Sequence, residues 1–372
     1  MLASSMNPIK VPSYIQNIDP YQGGLPIKEV ARKLNLSENN IVKLASNENP
    51  LGMSPLAKKA IEESLGEVKR YPDGNGFYLK DVISQKHNLD PAQIILGNGS
   101  NDILELVART FLSLDDEAIY SEHAFAVYPL VVKSVGAIGL EIPAKNYKHD
   151  LDGFQKAITK KTKVIFIANP NNPTGTLIAK KALKEFLDAV PPNIVVVLDE
   201  AYDEYLSEDN KSVAFSWLEA HKNLIISRSF SKAYGLAGLR VGFGAGSHFL
   251  IEVMNRIRQP FNVNFLAQQA AIASLQDDDF ILLSRKINDE GMKQITSAFN
   301  RMGFEYIPSF GNFVSFKLQD ETHAMLYYQH LLKNGIILRP IANYKLPEFL
   351  RVSIGLKEEN DQFIKFLSNC KL

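Results

Sequence analysis

The sequence predicts an α/β protein with a mainly parallel central sheet. Short runs rich in β-branched and aliphatic residues recur through the middle of the chain, and segments with helical spacing lie between several of them. This alternation is typical of parallel strands covered by helices on both faces. The length of 372 residues accommodates about two domains of roughly 150 residues each.

Five short apolar runs are the expected strands of that sheet. They span residues 94–96, 164–168, 194–198, 224–227 and 241–244. Most are apolar throughout, which indicates strands buried on both faces. Helical spacing over 100–112 and 178–190 predicts two of the helices that connect them.

The chain changes in character near residue 277. A long charged stretch with helical spacing follows, and then two strand-like runs at 313–316 and 350–354. This mixture predicts a smaller α+β domain.

Composition and charge argue against several classes of protein. The 41 basic and 41 acidic side chains balance, which argues against a nucleic-acid binder. Cys370 is the one cysteine, so an internal disulfide is excluded, and the seven histidines form no HExxH or HxH pair, so no metal site is expected. The sequence shows neither a signal peptide nor a stretch of about 20 apolar residues, so we expect a soluble cytoplasmic protein.

The first predicted strand ends in a glycine-rich turn, GNGSND at 97–102. Ligands of open parallel sheets bind beyond the carboxyl ends of the strands, and a turn that opens a helix there offers backbone N–H groups to a phosphate. Tight backbone packing is the alternative explanation. The turn is not GxGxxG, no P-loop occurs, and GFGAGS at 242–247 has serine where the third glycine belongs, which disfavours nicotinamide and ATP sites.

Three further strand ends carry polar side chains suited to a cofactor. Asn172 in NPNNPTG can donate an amide hydrogen bond, and DEAY supplies the carboxylate of Asp199 and the phenol of Tyr202. A helix N-cap is the alternative explanation of Asp199. The segment RSFSKAYGLAGLR supplies Ser229, Ser231, Lys232 and Arg240. A lysine, a carboxylate, a phenol, an amide and two sets of phosphate donors together are what pyridoxal 5′-phosphate needs.

These motifs resemble those of the fold-type I pyridoxal-phosphate aminotransferases. From LASNENPLG through RYPDGNG to LRVSIG, the chain resembles the histidinol-phosphate aminotransferase family over nearly all of its length after about residue 21. The resemblance implies an N-terminal segment at 1–50 that joins the small domain. It also implies a large cofactor-binding domain at 51–270 and a C-terminal small domain at 271–372.

The resemblance implies a role for each polar residue. Lys232 would bond to the cofactor aldehyde and move the proton at the substrate Cα, while Asp199 would keep the pyridine nitrogen protonated. Tyr202 and Asn172 would hydrogen-bond the phenolic oxygen, and Phe125, at a position that is often tyrosine in relatives, would stack on the ring. The residues expected around the phosphate are Ser100, Asn101, Ser229, Ser231 and Arg240.

The substrate contacts are implied in the same way. Arg351 would grip the α-carboxylate of the amino acid, and Arg339 and Tyr21 would contact the substrate phosphate. Tyr71 in RYPDGNG would reach the cofactor site of the neighbouring subunit in a homodimer. Ordinary packing or surface exposure is the alternative explanation of Phe125, Arg339 and Tyr21. No metal, nucleic acid or membrane is expected among the partners.

The implied reaction moves an amino group between glutamate and imidazole acetol phosphate, and so makes histidinol phosphate and 2-oxoglutarate in histidine biosynthesis. An aromatic amino acid aminotransferase is the main alternative, because the two ring pockets differ by few contacts. A phosphothreonine-type decarboxylase on the same scaffold and a non-catalytic binding protein are further alternatives. The presence of Lys232, Asp199 and Arg240 argues against the last.

Overall fold

A seven-stranded sheet forms the centre of the larger part of the computed structural model, which describes residues 9–20 and 23–370. In chain order the strands are β1 (Val42–Lys43), β2 (Ile94–Gly97), β3 (Glu117–Ser121), β4 (Ile138–Ile142), β5 (Thr162–Ala168), β6 (Val195–Asp199), β7 (Leu224–Ser229), β8 (Gly242–Gly246), β9 (Tyr306–Ile307), β10 (Phe313–Lys317), β11 (Ile336–Ile337), β12 (Arg339–Pro340) and β13 (Phe349–Ser353).

Helices cover the sheets and connect their strands. In chain order they are α1 (Ser13–Gln16), α2 (Ile27–Leu34), α3 (Pro55–Ser64), α4 (Phe77–His87), α5 (Ser100–Phe111), α6 (Val127–Ser134), α7 (Leu151–Lys156), α8 (Lys180–Ala189), α9 (His248–Asn255), α10 (Phe265–Leu275), α11 (Asp278–Met302), α12 (Glu321–Lys333) and α13 (Lys357–Ser368). None of the helices that the described residues form combines the length and the apolar character needed to cross a membrane.

The predicted α/β class and the mainly parallel sheet are confirmed. The strand order is β2-β8-β7-β6-β5-β3-β4, and β8 alone runs antiparallel to its two neighbours. The sequence did not indicate this reversal, because an apolar run carries no information about strand direction. The sequence analysis also missed β3 and β4. The edge strand β4 is only partly buried, so its run lacks the continuous apolar character of the central strands.

Two apolar layers enclose the large sheet. In β5, Val164 and Phe166 contribute to the layer that α5, α6 and α9 cover, whereas Ile165 and Ile167 contribute to the layer under α7 and α8. This alternation follows from the two-residue period of a strand. Full burial of each such side chain contributes about 1.5–3 kcal/mol to stability, so the central strands form a rigid base for the turns that follow them.

A second, antiparallel sheet lies in the C-terminal part of the chain, with strand order β12-β13-β10-β9. Its apolar cluster includes Phe299 of α11, Phe316 of β10 and Phe363 of α13. The short strand β1 pairs in parallel with β11, which joins the N-terminal segment to this region. The pairing agrees with a small domain built from both ends of the chain, while the domain limits at residues 50 and 270 stay predictions.

The carboxyl ends of the central strands meet at one edge of the large sheet. In the observed register Ala168 lies beside Asp199, and Asp199 lies beside Ser227. The turns that follow β5, β6 and β7 therefore open into the same space, where a parallel sheet binds its ligands. Arg351 in β13 faces this space from the second sheet.

We expect Phe316→Ala to lower the free energy of unfolding by about 3–5 kcal/mol, because it opens a cavity in the C-terminal cluster. The Phe316 ring is fully buried, and its centre lies 4.7 Å from that of Phe299 and 6.2 Å from that of Phe363. Urea unfolding followed by circular dichroism measures the loss. Phe249→Ala is the matched control, because Phe249 is 67% exposed and should change stability by less than about 0.5 kcal/mol. Equal losses in both variants would contradict the assignment of this core.

Candidate active site

A cavity of about 260 Å³ lies at the carboxyl ends of the central strands. The predicted site residues that line it are Ser100, Asn101, Phe125, Asn172, Asp199, Tyr202, Ser229, Ser231, Lys232, Arg240, Arg339 and Arg351. Tyr71 is not among the lining residues, and Tyr21 lies outside the described residues. The fold thus brings together side chains from distant parts of the sequence, and the individual roles predicted for them stay predictions.

Lys232 follows β7 and projects its amine into the cavity. Its Nζ donates a hydrogen bond to the carbonyl oxygen of Ser46 at 3.2 Å. Burial, together with the nearby guanidinium groups of Arg351 and Arg240, lowers the pKa of Lys232 to about 8, although Asp199 opposes the shift. A lysine with this pKa has a larger neutral fraction near neutral pH than an ordinary lysine, which suits attack on a carbonyl carbon and proton transfer.

Asp199, the last residue of β6, is buried at the base of the cavity. Its Oδ2 accepts a hydrogen bond from the Tyr128 hydroxyl at 2.9 Å, whereas Oδ1 is buried and has no hydrogen-bond partner within the described part of the chain. Burial raises the pKa of Asp199 to about 6, and the bond from Tyr128 opposes that rise. An unpaired buried acceptor costs about 1–3 kcal/mol, so the site calls for a ligand that supplies a donor at this position.

Tyr128 is a candidate functional residue that sequence analysis missed. It is fully buried in α6, where its ring stacks on Phe166 with 5.0 Å between ring centres, and its hydroxyl reaches Asp199. Its neighbour Phe125 is half-buried, lines the cavity and meets the Tyr128 ring edge-on at 6.0 Å. A buried tyrosine in an apolar run needs a partner for its hydroxyl, but only the fold reveals which partner it has.

Tyr202 and Asn172 lie in a network that joins both sheets. The Tyr202 hydroxyl accepts a hydrogen bond from Asn47 Nδ2 at 2.9 Å, and the Asn47 N–H donates to Ser353 Oγ at 2.8 Å. Burial raises the pKa of Tyr202 to about 12, so its phenol stays protonated and can donate. Arg351 Nη1 donates to Asn172 Oδ1 at 2.5 Å, so the donor that Asn172 offers is Nδ2. Sequence analysis included Asn47 only within the motif LASNENPLG and did not single it out.

The N-terminus of α5 and the side chain of Arg240 form an anion site. Gly99 precedes this helix without a side-chain cap, so backbone N–H groups of the first turn remain available to a ligand. Arg240 Nη1 donates to Ser231 Oγ at 3.2 Å, and the Ser231 N–H donates to Ser229 Oγ at 3.1 Å. A guanidinium, two hydroxyls and a helix N-terminus in one place suit a phosphate group.

A second cationic region lies at the side of the cavity formed by the C-terminal sheet. Arg339 in β12 and Arg351 in β13 are directly paired across the two strands, and both line the cavity. Like charges in this arrangement destabilise a sheet unless an anion or other partners compensate. Arg351 Nη2 donates to the carbonyl oxygen of Ala45 at 2.8 Å. Two guanidinium groups that line one side of the cavity suit a second anion, apart from an anion at the N-terminus of α5.

The arrangement fits pyridoxal 5′-phosphate. Its aldehyde would be held by the Lys232 amine, its protonated pyridine nitrogen by the open acceptor Oδ1 of Asp199, and its phosphate by the N-terminus of α5 and Arg240. Across residues 9–20 and 23–370, no group of histidine, cysteine or acidic side chains is arranged to hold a metal ion.

Comparisons with known proteins show which family the sequence matches. The model of the family "Aminotransferase class I and II" matches residues 39–367. The histidinol-phosphate aminotransferase of Methylobacillus flagellatus is 56% identical over 356 residues, which cover 96% of each chain. Histidinol-phosphate aminotransferase 2 of Nitrosospira multiformis is 52% identical over 357 residues, which cover 96% of this chain and 91% of the relative.

Solved structures show the same architecture. The crystal structure of histidinol-phosphate aminotransferase from Sinorhizobium meliloti in complex with pyridoxal-5′-phosphate matches with a TM-score of 0.89 and 25% identity, over 97% of this chain and 98% of that one. An aspartate aminotransferase from Thermus thermophilus, at 19% identity, matches with a TM-score of 0.84 over 97% of this chain and 99% of the other, which shows a shared fold. The predicted fold-type I class and pyridoxal-phosphate cofactor are confirmed.

We expect Gly99→Ala to weaken the binding of pyridoxal phosphate by about tenfold or more. A Cβ at Gly99 would lie 2.2 Å from Arg240 Nη2, and the φ of +84° strains any residue with a side chain. Titration of the apoenzyme with pyridoxal phosphate, followed by absorbance, measures the affinity. Gly238→Ala is the matched control, since a Cβ there meets nothing within 4 Å. Similar affinities for the two variants would argue against the anion site.

Proposed function

The chain belongs to the class I and II aminotransferase family, and we propose that it transfers an amino group between L-glutamate and imidazole acetol phosphate. The products are L-histidinol phosphate and 2-oxoglutarate, and the reaction is a step of histidine biosynthesis. The observation that carries the proposal is the pairing of Arg339 with Arg351 beside the cavity. The names of the relatives at 56% and 52% identity support it.

When bound, pyridoxal phosphate supplies an aldehyde that reacts with amines and a pyridine ring that withdraws electrons from the substrate Cα. Lys232, with its pKa lowered to about 8, accepts the proton from that Cα and returns it later in the transfer. Asp199, with its pKa raised to about 6, is ionised at neutral pH and holds a proton on the pyridine nitrogen. Tyr202 and Asn172 donate hydrogen bonds that orient the ring.

The two arginines explain how one site accepts two different substrates. Glutamate presents an α-carboxylate, for which the planar guanidinium of Arg351 is suited. Histidinol phosphate has no carboxylate, so its phosphate must engage the same cationic region. A phosphate dianion can engage both Arg339 and Arg351. We assign Tyr21, which lies outside the described residues, to the same phosphate as part of the proposal.

We also propose that the enzyme is a homodimer in which Tyr71 reaches the neighbouring site. Tyr71 is 83% exposed and stacks on Phe261 with 4.8 Å between ring centres. Phe77 and Tyr78, a few residues further along, are 62% and 70% exposed. Exposed aromatic residues so close together are typical of a surface that another protein covers.

Two broader assignments complete the proposal. A cytoplasmic location agrees with the single cysteine of the sequence, because small secreted domains are often rich in disulfides and this chain can form no internal one. The division into segments 1–50, 51–270 and 271–372 agrees with the pairing of β1 with β11.

A spectrophotometric comparison of amino donors tests the function. We expect histidinol phosphate, added without keto acid, to convert the cofactor to its amine form at a far lower concentration than phenylalanine does. The appearance of the absorbance band of the amine form of the cofactor measures the conversion. Lys232→Ala is the negative control, because it removes the amine that moves the proton. Conversion by phenylalanine at the lower concentration would instead identify an aromatic amino acid aminotransferase.

We expect Arg339→Ala to raise KM for histidinol phosphate by about tenfold or more, since a phosphate loses a charged hydrogen bond. KM for glutamate should change less, because Arg351 remains for the carboxylate. Steady-state kinetics with each substrate measure both values. Arg256→Ala is the matched control, since Arg256 is exposed and paired with Glu252 on α9. Equal increases in KM for both substrates would contradict the assignment of Arg339 to the substrate phosphate.

A further inference from the structure

A buried ion-pair network centred on Arg228 lies beside the cavity without lining it. Arg228 Nη2 is 2.8 Å from Glu200 Oε2, and Nη1 is 2.9 Å from Asp203 Oδ2 and 3.1 Å from Glu204 Oε1. The guanidinium also lies 5.0 Å from the centre of the Phe215 ring. Arg228 is only 7% exposed, and none of the four charged residues is among those that line the cavity.

The network residues are direct chain neighbours of residues that line the cavity. Arg228 and Ser229 are successive residues of β7, so their side chains point to opposite faces of the sheet and each can fix the position of the other. Glu200 and Asp203 lie beyond the end of β6 and act on Asp199 and Tyr202 as direct neighbours in the chain. The neighbouring pairs are Asp199 with Glu200, Tyr202 with Asp203, and Ser229 with Arg228.

Arg228, in β7, contacts the turn that follows β6. The main-chain pairing of β6 with β7 ends at the hydrogen bond from the Glu200 N–H to the Ser227 carbonyl, at 2.9 Å. Beyond that bond, the guanidinium of Arg228 supplies the ion pairs between the turn after β6 and β7, next to the apolar packing of Tyr202 and Tyr205 with Ala233. Its contacts to Asp203 and Glu204 extend past the end of the strand pairing.

The charges of the network require a residue with several donors at this position. Burial raises the pKa of Glu200 and Glu204, and the Arg228 guanidinium opposes both shifts. Glu200 also accepts a hydrogen bond from the Ser212 hydroxyl. The planar guanidinium of arginine contacts several carboxylates at once, whereas a lysine amine acts as a single point charge.

We propose that Arg228 is a positioning residue for the reaction, which fixes the end of β6 and the turn after it, with Asp199 and Tyr202, relative to the end of β7 and the turn after it, with Ser229 and Lys232. The proposal rests on the aminotransferase function but not on the identity of the keto acid. Asp199 and Lys232 must act on opposite parts of one small ring, so their separation has little tolerance. A misplacement of about 1 Å in such a site costs about a hundredfold in rate.

The test compares Arg228→Lys with the wild-type holoenzyme in steady-state turnover, with glutamate as the amino donor and a keto acid present at saturation. We expect kcat per bound cofactor to fall by about tenfold to a hundredfold. KM for glutamate should stay within about twofold, because Arg351 in β13 is unaffected. Visible circular dichroism of the bound cofactor, which reports the orientation of the ring, should change as well. A loss of stability alone would leave both the spectrum and kcat per bound cofactor unchanged.

Arg285→Lys is the matched control, because Arg285 borders the same network and donates through Nε to the Glu204 carbonyl oxygen at 3.2 Å. It should keep the wild-type rate and spectrum.

If Arg228→Lys fails to fold, the double variant Glu200→Gln with Asp203→Asn keeps the side-chain shapes and should show the same changes. Wild-type kcat per bound cofactor and an unchanged spectrum in the folded variant would overturn the proposal. Failure of the wild type to react with glutamate would refute the proposed function, and the circular dichroism would still decide the role of Arg228.

Discussion

The register of the central strands is the constraint on which the rest of the site depends. Because Ala168 lies beside Asp199 and Asp199 beside Ser227, β5 and β6 end at the same level of the sheet and β7 ends two residues further on, at Ser229. Each strand is held there by apolar side chains on both faces, which the alternating residues of β5 illustrate. The turns can therefore carry polar and strained residues, because the stability of the base does not depend on them.

Burial gives the site its chemistry through two opposite shifts. It raises the pKa of Asp199 to about 6 and lowers that of Lys232 to about 8. Both shifts come from the loss of water around a charged group. Near neutral pH the carboxylate of Asp199 remains ionised, while the ammonium group of Lys232 loses its proton more readily than that of an ordinary lysine. Burial in the cavity thus suits Asp199 to stabilise a proton on the pyridine nitrogen and suits Lys232 to transfer a proton.

The sequence predicted the fold class and most of the cavity, because apolar runs mark buried strands and the polar residues follow them directly. It missed contacts between residues far apart in the chain. Asn47 meets Tyr202, and Tyr128 meets Asp199, only after folding. The reversed direction of β8 was missed because the glycine-rich run at 242–246 is compatible with either orientation. The pairing of Arg339 with Arg351 likewise depends on the register of two strands that turn back on each other.

The pairing of β1 with β11 has a consequence for the order in which parts of the protein fold during synthesis. The strands of the large sheet and the turn before α5 precede residue 247, and α10, which shares an apolar cluster with β2 and β8, ends at Leu275, so a growing chain can complete the phosphate cradle before the C-terminal sheet is made. Val42 can pair only after Ile336 has been synthesised, and Asn47 can form its hydrogen bond only after Ser353 has been synthesised. Domains fold as their residues emerge from the ribosome. A nascent chain would therefore acquire the means to hold a phosphate well before it acquires the means to select an amino acid.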